Sequence, residues 1–316
     1  MLHLRVISPA ELSGGVLEVL DGCVGVVNIV VFPGAARSPA GDLVQFDIAR
    51  ESANEVIDRL QELGLHAEGS IAAEQIDLSI SEVADRAQEE APGDGDDAVV
   101  WAEFAQRVEE DIQLTWAFLV FLTIATLLAA IGVIVNSPIL IIGGMVMGPE
   151  FGPIAAICFG LIRVDRHLIG RALRTLVLGF ATALAITLAC ALVARWLGWI
   201  GVDSLNGHEE IEFIVKPDRW SFIVALLAGA AGVLSVTAGK SSALVGVFIS
   251  VTTVPAAGYF AVAAALSLWG DMGGSVLQLG VNIAGMVISG VTTLLIQKAY
   301  WSRFGMRRLP ARPGPG

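Results

Sequence analysis

Positive charge is scarce in this sequence. Lys and Arg together number 19 against 31 Asp and Glu, and charged residues of every kind make up 16% of the chain. A soluble globular domain carries roughly 25% charged residues, and a nucleic-acid surface needs a basic face; the sequence argues against both. Cysteine is scarce too. Cys23, Cys158 and Cys190 fit neither a disulfide framework nor metal-ligand spacing. There is no HExxH, no Ser-His-Asp set and no pair of carboxylates, so an enzyme is not expected. Gly239-Lys240-Ser241-Ser242 lacks the glycine loop of a nucleotide site, and no motif names a cofactor. The first hundred residues hold no apolar run long enough for a signal peptide. The first hydrophobic helix is therefore expected to direct insertion as well.

What the chain has instead is apolar residues, 55% of it, and an uneven distribution of acid. Most Asp and Glu precede Asp111. Residues 1–80 alternate in short segments. Leu2–Val6 reads as a strand, and Ser8-Pro9-Ala10-Glu11 as a capped helix start running to Asp21. Val24–Phe32 is a second strand, a loop spans Pro33 to Asp42, and Leu43–Ala49 is a third strand. Ser52 is expected to cap a helix from Ala53 to Leu63, stopped by Gly64, with a last strand near His66–Ile71. The order β-α-β-β-α-β predicts a ferredoxin-like α+β domain.

Residues 81–111 read as an acidic linker, Glu82 to Asp97, followed by an amphipathic interfacial helix, Trp101 to Asp111. Residues 112–300 predict an α-helical polytopic membrane domain. A span needs about 20 mostly apolar residues, and six candidates fit: Ile112–Val135, Pro138–Ile162, Leu173–Leu197, Trp220–Ala238, Ser242–Trp269 and Gly274–Gln297. The second of these either crosses fully or is re-entrant. Residues 301–316 form a basic tail. Arg163, Arg166, His167, Arg171 and Arg174 fall on one side of six spans, with Lys240, Lys298, Arg303, Arg307, Arg308 and Arg312. Asp203, Glu209, Glu210 and Glu212 fall on the other. The positive-inside rule then predicts cytoplasmic termini and an inner-membrane, multi-pass protein.

The first three spans echo the last three at an offset of about 100 residues: Gly132-Val133-Ile134 with Gly232-Val233-Leu234, and the stretch from Ser137 with that from Ser241. Three spans per copy imply an inverted 3+3 repeat, and inverted repeats with broken helices mark transporters. Gly143 to Pro153 is the most informative stretch. Pro149 and Pro153 remove backbone donors, and free carbonyls at membrane depth need protein or a water-filled cavity. Gly144, Gly148 and Gly152 recur every four residues, which suits helix packing. Glu150 is the only acidic or basic residue between Asp111 and Arg163. At roughly 3 kcal/mol on insertion scales, it is a proton or cation site, a neutral, hydrogen-bonded carboxyl, or a group near an interface. Ser250, Thr252, Thr253 and Pro255 offer a matching break in the fifth span, and Asn282 lies in the sixth. With Gly148, Pro149, Glu150, Gly152 and Pro153 these are the pathway candidates. No metal ligands are among them.

The segments SPILIIGGMVMGPEFGPIAAICFGL and SALVGVFISVTTVPAAGYFAVAAAL…GVNIAGMVISG resemble the DUF389 family of bacterial membrane proteins, over about Trp116 to Tyr300. The resemblance implies a hydrophobic membrane domain of undetermined function, often with a small N-terminal domain. It also implies apolar residues in many relatives where this chain has Glu150-Phe151, which restricts a role for Glu150 to a subgroup. It carries no substrate. Two functions stay open. One is a transporter or channel-like protein regulated by its ferredoxin-like domain. The other is a membrane-anchored sensor whose soluble domain binds a small ligand such as a nucleotide. Glycine-rich faces predict a homo-oligomer in the bilayer, most simply a dimer.

Overall fold

A computed structural model of the protein describes residues 1–76, 78–91, 93, 98–205, 218–239 and 252–304. The chain divides into two units, Met1–Phe104 with the residues from Gln297 onward, and Ala105–Ile296.

The first unit runs β1 (Leu2–Ser8), α1 (Ala10–Asp21), β2 (Val26–Arg37), β3 (Ala40–Ile48), α2 (Arg50–Glu62), α3 (Leu65–Glu68) and β4 (Ser70–Gln75). The sheet order is β2-β3-β1-β4 and every neighbour is antiparallel. Strand alternation puts Leu2, Leu4 and Val6 of β1 on one face with Val44, Phe46 and Ile48 of β3. Val16 and Leu20 of α1 and Val56 and Leu60 of α2 close over them.

Several boundaries differ from the sequence reading. The N-cap of α1 is Pro9, not Ser8, and the N-cap of α2 is Ala49, three residues before Ser52. The loop expected from Pro33 to Asp42 is mostly strand, because Gly34 at φ +61 donates its N–H to the Asp42 carboxylate at 2.7 Å and lets β2 and β3 shift register and continue. His66 lies in the helical turn α3, and the last strand starts at Ser70.

The acidic linker is also partly helical. In α4 (Glu82–Glu90) the Ser81 hydroxyl accepts from the Ala84 N–H, and Ala84 and Ala87 pack with Val27. Asn54 on α2 donates to the Val99 carbonyl at 2.6 Å and accepts from the Trp101 N–H at 2.9 Å. Val100 thereby joins the core.

α5 (Trp101–Asp111) follows, then α6 (Trp116–Ile134), α7 (Pro138–Met147), α8 (Phe151–Arg163), α9 (Arg166–Trp196), a 3-10 turn (Val202–Leu205), α10 (Arg219–Thr237), α11 (Thr253–Leu266) and α12 (Trp269–Phe304). Among the described residues, α6, α9, α10 and α12 are long and apolar enough to cross a membrane, and α7 with α8 makes a fifth if that bent pair is one span. α11 is apolar but has 14 residues, and the segment expected to complete it, 242–251, lies outside the described residues. So do Lys240, Glu209, Glu210, Glu212 and the tail from 305. The first span begins at Trp116 rather than Ile112 because Thr115 caps the Phe118 N–H. The third begins at Arg166, so Arg171 and Arg174 lie within α9 rather than in a loop. Phe121, Val177, Leu227 and Ile288 are exposed along the helices, and Trp116, Trp196, Trp220 and Trp269 at or near helix ends, an arrangement suited to lipid and its interfaces.

The same local structures recur 103 residues apart, a spacing that also separates Glu150 from its partner Thr253. Thr115 and Asp218 each cap a 19-residue helix by accepting the N–H three residues on. Asn136 and Gly239 take positive φ just after those helices. Val164 and Ser267 end α8 and α11 in the left-handed conformation. The next N–H, of Asp165 or Leu268, then bonds to the carbonyl five back, Gly160 at 2.8 Å or Ala263 at 2.9 Å, a Schellman closure. The Gly132–Gly232 pairing read from the sequence is three residues out of this register.

Candidate functional site

Two helices that start inside the apolar unit bring the polar residues together. α7 ends at Met147, and its C-cap Gly148 is extended (ψ 121) and closes no cap bond. Pro149 has no N–H to continue the ladder. The chain bends by 49° and the helix resumes when the Ile154 N–H reaches the Glu150 carbonyl at 3.4 Å. α11 starts likewise, with the Ala256 N–H on the Thr252 carbonyl at 3.2 Å. Pro153 and Pro255 are each the third residue of their helix, where no intrahelical donor is required. Both therefore lie in first turns, and the break expected in the second span falls just before Pro153, at Gly148 to Glu150.

The two starts meet. Thr253 Oγ1 donates to Glu150 Oε1 at 2.6 Å, and both residues are buried. Beside them, Gln278 Nε2 and Asn282 Nδ2 on α12 both donate to Thr252 Oγ1, at 3.0 and 2.9 Å. Glu150 is 6% exposed and Gln278 fully buried, yet Glu150 Oε2 and Gln278 Oε1 have no hydrogen-bond partner among the described residues. Each of the two amide nitrogens donates to Thr252, while two oxygens are left over. Buried polar atoms are otherwise almost always paired.

The glycines set how closely the elements approach. A Cβ on Gly144 would lie 2.7 Å from the Ala125 carbonyl of α6. On Gly148 it would overlap Glu150 Oε2 and come within 2.8 Å of Val254. On Gly152 it would lie 2.6 Å from Asp111 Cβ. A cleft of about 340 Å³ opens at this last contact, lined by Glu110, Asp111, Gln113, Pro149 and Gly152 among others. Burial pushes the Asp111 carboxyl above the usual carboxylate range; Arg107 opposes this and Glu110 adds to it.

Of the pathway candidates, Glu150, Thr252, Thr253 and Asn282 form one buried cluster, and Gly148 touches it. Pro149 and Gly152 line the cleft; Pro153 and Pro255 are buried in first turns. Ser250 lies outside the described residues. Sequence reasoning missed Gln278 and Asp111. Gln278 was findable, since Asp271, Ser275, Gln278 and Asn282 recur at helical spacing as one polar stripe on an otherwise apolar helix. Among the described residues no group of three His, Cys, Asp or Glu could hold a metal ion.

Comparison with known proteins gives a family and a distant relative. The uncharacterized protein MJ0678 of Methanocaldococcus jannaschii is similar, 23% identical over 212 residues that cover 67% of this chain and 62% of that protein. This chain thus spans somewhat less than two thirds of the relative's length. No solved structure matches. The resemblance read from the sequence holds over residues 145–288, from the last turns of α7 through the buried cluster into α12, which match the family model of DUF389, a domain of unknown function.

Proposed function

We propose that this protein is a membrane transporter or channel-like permeation protein whose pathway runs between its two interrupted helices. The observation that carries the reading is the 2.6 Å hydrogen bond from Thr253 to Glu150, which joins the two helix starts inside a buried polar cluster. Polar residues at membrane depth are costly and mark pathways. Helices interrupted in equivalent positions of two halves are the arrangement transporters use at their binding sites.

The 103-residue recurrence supports an internal repeat. With three crossings per copy the two copies are inverted, six spans in all, α7 with α8 forming the second and α11 ending the fifth. The arginine-rich stretch from Arg163 to Arg174 and the basic C-terminal tail lie on the cytoplasmic side of the inner membrane. The N-terminal sheet unit, ferredoxin-like in its strand order, then lies there too and regulates the pathway. The protein works as a homo-oligomer, a dimer in the simplest form.

The test is flux across proteoliposomes holding the full-length protein, over a panel of inorganic ions and small solutes. The expected result is movement of at least one of them and its loss in Glu150→Gln. No flux over the whole panel overturns the reading.

A further inference from the structure

We infer that Glu150 binds one monovalent alkali cation, held by Oε2 and the carbonyl end of α7. Four observations lead there. Glu150 Oε2 is buried and without a partner among the described residues. It lies over the Cα of Gly148, where any side chain would overlap it, so the carboxylate is seated at the residue that ends α7. The last carbonyls of a helix have no intrahelical partners and carry its negative end. Gly148 closes no cap bond over them, and Pro149 has no N–H to offer. A carboxylate against the negative end of a helix is repelled unless a positive charge sits between them. Finally, the nearby Gln278 Oε1 is a further acceptor without a partner among the described residues, so this region has more than one oxygen to offer an ion.

The chemistry of these atoms selects the ion. A proton on Oε2 would supply a single donor and leave the other oxygens open. An alkali cation accepts several oxygens at once, and half-helix carbonyl ends are where membrane proteins hold Na+. A divalent ion would leave a net positive charge, because Thr253 stands where a second carboxylate would be needed. One carboxylate per chain means one cation per chain. The cleft beside the same break carries Glu110 and Asp111, and a negative mouth raises the local concentration of cations.

That this ion is the coupling ion rests on the transport reading above; that it binds does not. The experiment is therefore an equilibrium one. Full-length protein, purified in detergent and exchanged into choline chloride, is titrated with NaCl, LiCl and KCl at constant ionic strength and fixed pH. Radioactive 22Na+ binding and the thermal midpoint are read together. Saturable binding of one Na+ per chain is expected, with a rising midpoint, and affinity falling by about tenfold or more in Glu150→Gln. Asp111→Asn is expected to keep the stoichiometry. Absence of saturable binding by any of the three ions to the wild-type protein overturns the proposal, as does unchanged affinity in Glu150→Gln. If Glu150→Gln does not fold, the wild-type titration still decides. Binding without flux in proteoliposomes overturns the transport reading alone, and flux without binding overturns the cation site alone.

Discussion

Val164 and Ser267, 103 residues apart like Glu150 and Thr253, end their helices in the same left-handed conformation, at φ 57 and φ 64. For a β-branched residue this backbone is strained, by roughly 1–2 kcal/mol. Val164 is 76% exposed, so its side chain returns little in packing. Val164→Gly is expected to raise stability by about 1 kcal/mol, and Ser267→Gly by less. Thermal unfolding of the purified protein checks this; a lower midpoint for Val164→Gly would show that its side chain is needed where it lies.

The Thr253 hydroxyl is the one hydrogen-bond donor to the Glu150 carboxyl from another side chain among the described residues. Thr253→Val keeps the shape and removes the donor. It is expected to cost about 1–3 kcal/mol, the penalty for a buried acceptor left unmade. Thr253→Ser keeps the donor and should fall much closer to wild type. Equal losses for the two variants would mean that the methyl group, not the hydroxyl, matters there.

Gly143 and Gly144 are adjacent on α7 and should respond in opposite ways. A Cβ at 143 meets nothing within 4 Å, whereas one at 144 meets the Ala125 carbonyl at 2.7 Å. Gly143→Ala should be neutral or stabilising, by up to about 1 kcal/mol from helix propensity. Gly144→Ala should destabilise by about 1–3 kcal/mol through overpacking against α6. Side-by-side denaturation of the pair is the measurement, and the same sign for both would contradict the close approach of α6 and α7.

Asp111 gives a dependence on pH. Burial raises its folded-state pKa above the unfolded value, with Arg107 opposing and Glu110 adding. A carboxyl raised in this way costs stability while ionised, at pH above its folded value. The cost disappears as pH falls and the group protonates in both states. Asp111→Asn should therefore have the higher thermal midpoint at pH 7, and the difference should shrink toward zero on acidification to about pH 4. A difference that grows on acidification would reverse the sign of the environment assigned to this cleft.

Long apolar runs, the strand order of the N-terminal unit and the break at Gly148-Pro149 were legible in the sequence, because each is a local pattern with a local cause. Helix starts were less so. Ser8 and Ser52 look like caps, but Pro9 and Ala49 hold the cap positions, where the backbone turns without help from a side chain. The acidic stretch after Ser81 reads as a linker by charge, yet two alanines on one face suffice to dock it on Val27. In the buried cluster, Glu150 and the threonines were visible as polar residues in an apolar setting. Their grouping followed from the matching breaks of the two spans, but the hydrogen bond from Thr253 to Glu150 and the part of Gln278 did not, since a specific contact between distant segments leaves no mark on either one. Asp111 was hidden for another reason: it ends an amphipathic helix as one of several acids, and only its approach to Gly152 sets it apart.

The threonine opposite Glu150 has one more consequence. With a glutamate at 253 instead, two acids would face each other across the 2.6 Å now spanned by one hydrogen bond. Like charges so close cannot both ionise, and one proton would be shared between them. With threonine on one side the centre is heteropolar, an acid facing an alcohol. The one carboxylate of the contact therefore keeps its place with no like charge across from it.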